Sequence, residues 1–140
     1  MAETGTPAGV VPYLTVEGAA RAIDFYRTVF GAHEAMRQMT DDGQRVLHCR
    51  LNINSGVVML SDTFPEHGGP PGPDPARGSP VAISLALADP AEVDRLHQRA
   101  LDNGASSVMD PVDAFWGARF AMLTDPFGHR WMLNAERRRG

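Results

Sequence analysis

Apolar and polar positions along the chain predict the same order of elements twice. In the first half, residues 10–16 (VVPYLTV) are typical of a strand, and the AARAIDFYRTVF segment that follows repeats apolar side chains at helical spacing. In the second half, residues 81–87 (VAISLAL) predict another strand. Asp89 and Pro90 then supply an N-cap and a first helical residue for a helix that ends near Gly104.

The remainder of each half predicts β-structure. Residues 45–53 alternate apolar and polar side chains, which places Leu47 and Cys49 on an apolar face and His48 and Arg50 on the opposite face. In the second half, ARFAMLT and HRWML predict two strands joined through a DPFG turn. Both halves therefore predict strand, helix, strand and strand, with an extra strand allowed in each. An internal duplication is the simplest explanation.

A stretch rich in proline and glycine separates the two halves. Residues 64–80 contain six prolines and four glycines, so they cannot continue a helix or a central strand. We therefore predict one domain over residues 1–140. Its parts are a first module at about 8–63, the connection at 64–80, a second module at about 81–135 and a basic tail at 136–140.

Composition narrows the class of protein. The chain has 140 residues, 43% hydrophobic and 21% charged, which are values typical of one globular domain. A net charge of −4 disfavours a nucleic-acid partner, since the one dense basic cluster is Arg137–Arg139. Apolar runs are too short for a membrane span, and the N-terminal MAETGTPAG is unlike a secretory signal, so we expect a cytoplasmic protein. A single cysteine, Cys49, excludes an internal disulfide and a cysteine-rich zinc site.

Four segments together resemble the vicinal oxygen chelate superfamily, which includes glyoxalase I, bleomycin resistance proteins and extradiol dioxygenases. They are VPYLTVEGAARAIDFYRTVFGA, LNINSGVVMLSD, AFWGARF and DPFGHRWML. The AIDFY helix, the FWG-x-R segment and the DPFGHxW turn are similar to those of the PhnB-like group. The resemblance implies an α+β fold of two βαβββ modules whose curved sheet surrounds a pocket. We also expect a homodimer, because pairing modules or chains covers open sheet edges.

The resemblance also locates the positions at which metal-dependent members hold an ion with His or Glu side chains. In this chain these positions are Val11, Met59, Ala82 and Met132. None of them offers the imidazole or oxygen ligand that Zn²⁺, Fe²⁺ or Mg²⁺ requires. Two thioethers suit Cu(I) in principle, but methionines in a β core are typically packing residues. We therefore expect no metal and no other cofactor.

The side chains predicted to line the pocket are small, aromatic, cationic or thioether groups. The predicted ligand-binding residues are Tyr13, His48, Arg50, Met59, Ser84, Trp116, Arg119 and Met132. Trp116 adjoins a glycine and is suited to stacking on a planar ligand, unless it is a core residue. Arg50 and Arg119 are suited to pairing with an anionic ligand, unless they form ion pairs with Asp62, Asp110 or Asp113.

Two functions of different class remain open. The first is a metal-free small-molecule-binding protein that resembles bleomycin resistance proteins and sequesters a planar or amphipathic ligand such as an antibiotic, with no catalytic residues. The second is a lyase, isomerase or dioxygenase-type enzyme, or a metal-free acid–base reaction by His48 with a carboxylate such as Asp62. The chain contains no nucleophile elbow, P-loop or dinucleotide fingerprint.

Overall fold

Each half of the chain folds into the strand–helix–strand–strand–strand unit that its pattern predicts. The structure, a computed structural model, describes residues 9–137. Residue 8, where the first predicted module begins, and residues 138–140 of the predicted basic tail lie outside the described residues. The chain divides into two units between Pro73 and Asp74, within the connection predicted at 64–80. The α+β class with two βαβββ modules is confirmed.

Module 1 is a four-stranded mixed sheet with one helix. Its elements in chain order are β1 (Tyr13–Val16), α1 (Ala19–Phe30), β2 (His33–Met39), β3 (Val46–Ile53) and β4 (Gly56–Asp62). The strands lie in the order β1-β4-β3-β2, with β1 parallel to β4 and the other pairs antiparallel. A short 3-10 helix at Pro65–His67 follows the sheet.

The core of module 1 lies between α1 and one face of this sheet. Leu14, Leu60 and Cys49 are cross-strand neighbours on that face and are buried. The helix contributes the apolar stripe predicted for it, and its buried residues are Ala19, Ala22, Ile23, Phe25, Tyr26 and Val29. We call the opposite side of the sheet the helix-free face of module 1.

Module 2 repeats this arrangement. Its elements are β5 (Ala82–Leu87), α2 (Pro90–Asp102), β6 (Ser106–Asp113), β7 (Ala118–Thr124) and β8 (Arg130–Glu136), in the sheet order β5-β8-β7-β6. The face towards α2 carries buried Leu85, Leu123, Trp131 and Leu133. The other side is the helix-free face of module 2. No helix among residues 9–137 is long and apolar enough to cross a membrane.

Two details of the predicted strands are wrong. The first strand begins at Tyr13 rather than at residue 10, so Val11 precedes it. Leu47 is 43% exposed instead of lying in the core. His48 pairs with Gln38 while Val46 pairs with Met39, so Leu47 falls in a β-bulge and Val46 takes the buried position.

Candidate functional site

The two helix-free faces carry equivalent rows of side chains with a predicted site methionine in each. The row in module 1 crosses β1, β4, β3 and β2 and consists of Tyr13, Met59, Arg50 and Met36. The row in module 2 crosses β5, β8, β7 and β6 and consists of Ser84, Met132, Met122 and Met109. Cross-strand partners share a face of the sheet. With His48, which stacks on Tyr13, six of the eight predicted ligand-binding residues lie on helix-free faces, four in module 1 and two in module 2.

Polar groups dominate the centre of the face in module 1. The Tyr13 hydroxyl lies 2.9 Å from Nδ1 of His48, and the two rings stack with their centroids 5.6 Å apart. This pair spans β4, which separates β1 from β3. Arg50 lies two residues further along β3 than His48 and is only 6% exposed. The structure thus brings together Tyr13, His48, Arg50 and Met59, as the sequence predicts.

Asp62 does not join this group. It lies at the end of β4, and its carboxylate accepts hydrogen bonds from the backbone N–H groups of Gly18 (3.0 Å), Ala19 (2.8 Å) and Val46 (2.7 Å). Those bonds use both oxygens to close the N-terminus of α1 and to anchor the start of β3. The alternative in which Asp62 assists His48 in proton transfer is therefore not supported, because backbone N–H groups engage both carboxylate oxygens.

Trp116 lies against the helix-free face of module 2. Its indole Nε1 donates a hydrogen bond to Oδ1 of Asn134 at 3.3 Å. Its ring packs edge-on against Phe120, with the two ring centroids 5.4 Å apart. Asn134 and Phe120 are cross-strand partners on that face. The indole is 53% exposed, and Phe115 beside it is 97% exposed. Trp116 is therefore an accessible aromatic surface held at a fixed orientation, and the core alternative does not describe it.

Sequence reasoning missed four members of this face. Phe120 and Asn134 contact Trp116, Met122 pairs with Met132, and Met109 pairs with Met122, but none of the four is a predicted site residue. Alternation along ARFAMLT already puts Phe120 and Met122 on one face. The missing information was the register with β8, which shows that this face is also the face of Met132.

Arg119 lies on the other side of β7. Its guanidinium pairs with Asp94 of α2 at 3.0 Å and with Asp113 of β6 at 3.2 Å. The hydrogen bonds that Arg119 donates to the Asp94 carboxylate raise the pKa of Arg119 above its usual value. The prediction that Arg119 steers a ligand beside Trp116 is not supported, because adjacent strand residues point to opposite faces. Its other predicted role, an ion pair with Asp113, is the one observed.

The donor groups at the four metal positions do not fit a divalent ion. Val11 and Ala82 have hydrocarbon side chains, and Met59 and Met132 offer only thioether sulfur. Residues 9–137 contain no group of three or more His, Cys, Asp or Glu side chains arranged to hold an ion. Cys49 is fully buried on the side of the sheet that faces α1, and burial raises the pKa of its thiol to about 11. These are the properties of a core residue and not of a reactive thiol.

Comparisons with known proteins agree with this architecture. The model of the Glyoxalase/Bleomycin resistance protein/Dioxygenase superfamily matches residues 9–133. An uncharacterized protein of Mycobacterium tuberculosis H37Rv is 43% identical over 124 residues, which are 87% of this chain and 71% of that protein.

Solved structures give the same result. Protein PA1353 from Pseudomonas aeruginosa is 30% identical with a TM-score of 0.74, over 94% of this chain and 100% of that one. TioX from Micromonospora sp. ML1 is 27% identical with a TM-score of 0.69, over 93% and 99% of the two chains. The fold is also that of the fosfomycin resistance protein FosX from Listeria monocytogenes, solved with Mn(II) and sulfate, at 14% identity and a TM-score of 0.67 over 95% and 92%.

Proposed function

This chain belongs to the glyoxalase/bleomycin resistance protein/dioxygenase superfamily, and we propose that within it the chain is a metal-free small-molecule-binding protein. Its ligand is a planar or amphipathic molecule such as an antibiotic, which it sequesters without altering. We assign its contacts to the helix-free face of each module taken by itself. These residues are Trp116, Met132 and Ser84 in module 2, and Tyr13, His48, Arg50 and Met59 in module 1.

The arrangement of Trp116 supports this proposal most strongly. An indole that is half exposed, anchored through Nε1 and braced by Phe120 presents a rigid ring to a planar ligand at little entropic cost. The methionine row beside it supplies flexible apolar side chains that adapt to a ligand's outline and make favourable contacts with rings. A rigid aromatic surface beside an adaptable thioether surface is suited to binding a ligand without catalysing a reaction.

The metal-free part of the proposal follows from donor chemistry. With Val11, Met59, Ala82 and Met132 at the positions of the ligands, purified protein should contain less than stoichiometric Zn, Mn, Fe or Ni, and a chelator should leave its melting temperature unchanged. Elemental analysis of protein prepared without added metal measures this. One equivalent of ion that is lost together with stability on chelation would contradict it.

The binding role has a direct test. Native mass spectrometry of the freshly purified protein looks for a co-purifying small molecule, and calorimetry then measures a planar neutral probe, naphthalene-2-carboxamide. We expect Trp116→Ala to lower the affinity for the probe by about tenfold or more. Stacking contributes on the order of 1 kcal/mol in addition to the burial of apolar area that the variant loses. Trp131 is fully buried, so acrylamide quenching in the complex reports protection of Trp116 alone. Equal affinity for the wild type and Trp116→Ala would refute the proposal.

A metal-independent enzyme is the second candidate, and the Tyr13–His48 hydrogen bond favours it. In the tautomer whose Nδ1–H donates to the Tyr13 hydroxyl oxygen, Nε2 carries the lone pair that would accept a proton from a substrate. An isomerase or lyase reaction needs such a base. Turnover of a bound ligand that collapses in His48→Gln, with a shifted pH profile in Tyr13→Phe, would establish this candidate over pure binding.

We also propose that the protein acts in the cytoplasm as a homodimer. Each sheet ends in strands that are unpaired on one side within its own module, β1 and β2 in module 1 and β5 and β6 in module 2. Such edges are commonly covered by pairing between modules or chains. Light scattering at micromolar concentration measures the assembly, and a mass of one chain would contradict the dimer.

A further inference from the structure

Arg130 is a cation on the helix-free face of module 2 whose guanidinium is incompletely satisfied. It begins β8 and pairs in register with Ala82 and Thr124. Its Nε is buried and has no hydrogen-bond partner among the described residues, 9–137. Leaving a buried charged donor without an acceptor is costly, and the usual compensation is a carboxylate or phosphate oxygen.

The connection between the modules approaches this guanidinium closely at a glycine. Gly78 has a φ of +74°, and a Cβ added there would lie 2.8 Å from Nη2 of Arg130 and 3.4 Å from Oγ1 of Thr124. The backbone of Gly78 therefore lies beside both groups at a position where another residue would displace the guanidinium. The neighbours on β5, Ala82 and Ser84, are small. Arg130 is thus flanked by a glycine and by short side chains, none of which supplies a carboxylate.

The charge of this face is also unbalanced near Arg130. In register, the side chains that share its row or the next one are Ala82, Thr124, Ser106, Ser84, Met132, Met122 and Met109, none of them acidic. The carboxylate on β8 that shares this face is Glu136, three rows away at the opposite end of the strand. No side chain in these two rows can therefore neutralise Arg130.

We propose that Arg130, together with the Thr124 hydroxyl, forms an oxyanion site that binds a carboxylate or phosphate group. This inference deepens the proposed function and rests on it where it concerns the ligand. Along β8 the face continues from Arg130 through Met132 to Asn134, the hydrogen-bond partner of Trp116. Four residue steps in a strand span about 13 Å. The ligand is therefore an anionic amphiphile, with its planar ring at Trp116 and its oxyanion at Arg130.

A matched pair of probes tests this site by calorimetry at constant ionic strength. The carboxylate 6-(naphthalen-2-yl)hexanoate carries a ring and an anion at a distance, and its primary amide has the same shape without charge. We expect the wild type to bind the carboxylate about tenfold more tightly than the amide, which corresponds to about 1.4 kcal/mol. Arg130→Gln should reduce the preference to twofold or less. Arg130→Lys should leave an intermediate preference, because lysine keeps the positive charge but lacks the paired N–H donors of a guanidinium.

The control variant is Arg95→Gln on α2, since it removes one positive charge from an exposed residue of the helix on the other face. It should keep the tenfold preference. Equal affinity of the wild type for acid and amide, or a preference that survives in Arg130→Gln, would overturn the oxyanion site. Melting temperatures establish that each variant is folded, and Arg130→Gln should not be less stable than the wild type because it removes an incompletely bonded buried group.

A second titration separates this inference from the proposed function. Inorganic phosphate and acetate carry no ring, so they test the oxyanion site alone. We expect the NMR signal of the Arg130 Nε–H group to shift with saturation on adding either anion, and more strongly with phosphate, while that of Arg95 does not. If the ring probes fail to bind but this shift occurs, the aromatic surface is wrong and the oxyanion site stands. If the Arg130 signal shifted linearly with anion concentration and by the same amount as the Arg95 signal, the site would be refuted.

Discussion

The two modules share a topology and a register, but they complete the N-termini of their helices differently. In module 2, Asp89 directly precedes α2, and its side chain accepts a hydrogen bond from the N–H of Ala91 at 3.0 Å. In module 1, the N-cap is Gly18 in a left-handed conformation with no side-chain cap of its own. Asp62, at the far end of the module, supplies the acceptor. The same structural need is met locally in one module and by a tertiary contact in the other.

The helix-free faces differ in a corresponding way. The central methionines Met59 and Met132 are equivalent, but the next strand has Arg50 in module 1 and Met122 in module 2. One face therefore places a buried guanidinium at its centre, and the other places a thioether there. A polar centre favours hydrogen bonding to a ligand, whereas a thioether row favours contact with a ring. The duplicated fold thus carries two surfaces of different chemistry.

Replacing the two capping aspartates gives the largest expected effect on this comparison. Asp62→Ala should lower the free energy of unfolding by about 3 kcal/mol, because three backbone N–H groups lose a buried charged acceptor. Asp89→Ala should lower it by about 1 kcal/mol, the usual cost of an exposed N-cap. Urea denaturation measures both. Equal losses would show that the distant acceptor has no special role in module 1.

This difference also shows what the sequence does and does not reveal. Asp89 and Pro90 predict the start of α2 because a helix cap and the first helical residue are adjacent in the chain. The cap from Asp62 joins residues 43 positions apart, and no local pattern encodes it. The predicted alternation correctly separated His48 and Arg50 from Cys49, since side chains along a strand alternate.

The candidate site was predictable only in part for the same reason. Trp116 was identified from its place beside a glycine, but its partners Phe120 and Asn134 depend on the pairing of β7 with β8. Arg119 was misassigned because a cation near an aromatic residue in sequence need not share its face. Its pairing with Asp94 depends on where α2 packs, which is a tertiary feature.

Labelling of Cys49 measures how well the helix-facing core of module 1 is protected from solvent. Cys49 neighbours Leu60 in module 1, as Ala121 neighbours Leu133 in module 2. Because the pKa of the buried Cys49 thiol is about 11, its thiolate is scarce at pH 8. We expect labelling by a thiol reagent to be at least about a hundredfold slower in the native protein than in urea. Rapid native labelling would show that the core of module 1 opens.

A smaller effect concerns the eighth residue of each helix, which is Tyr26 in α1 and His97 in α2. His97 is 3% exposed, its Nε2 lies 3.0 Å from Oγ of Ser107, and Ser107 Oγ donates to Asp110. Burial lowers the pKa of His97 below its ordinary 6.5, although Asp110 and Asp94 oppose this. Below pH 6.5 the unfolded chain therefore binds more protons at this histidine than the folded protein does.

It follows that the contribution of His97 to stability is complete above pH 6.5 and is lost as the pH falls towards its lower pKa in the folded protein. The free energy of unfolding should decrease between pH 7.5 and 5.5, and His97→Gln should flatten that dependence. Urea denaturation of the wild type and the variant at both pH values measures it. Parallel profiles for the two proteins would assign the acid sensitivity to other groups.

The smallest expected effect concerns the bulge in β3. In both modules the outermost antiparallel pair, β2 with β3 and β6 with β7, shows shifts of register. In module 1 the shift leaves Leu47 43% exposed while Val46 is fully buried. Leu47→Thr should therefore change the free energy of unfolding by less than about 0.5 kcal/mol, whereas Val46→Ala should cost about 2 kcal/mol because it leaves a cavity under α1. Urea denaturation of both variants decides which of the two neighbours is the core residue. If Leu47→Thr were the more damaging change, β3 would follow the uninterrupted alternation of its sequence, and the bulge would not exist in solution.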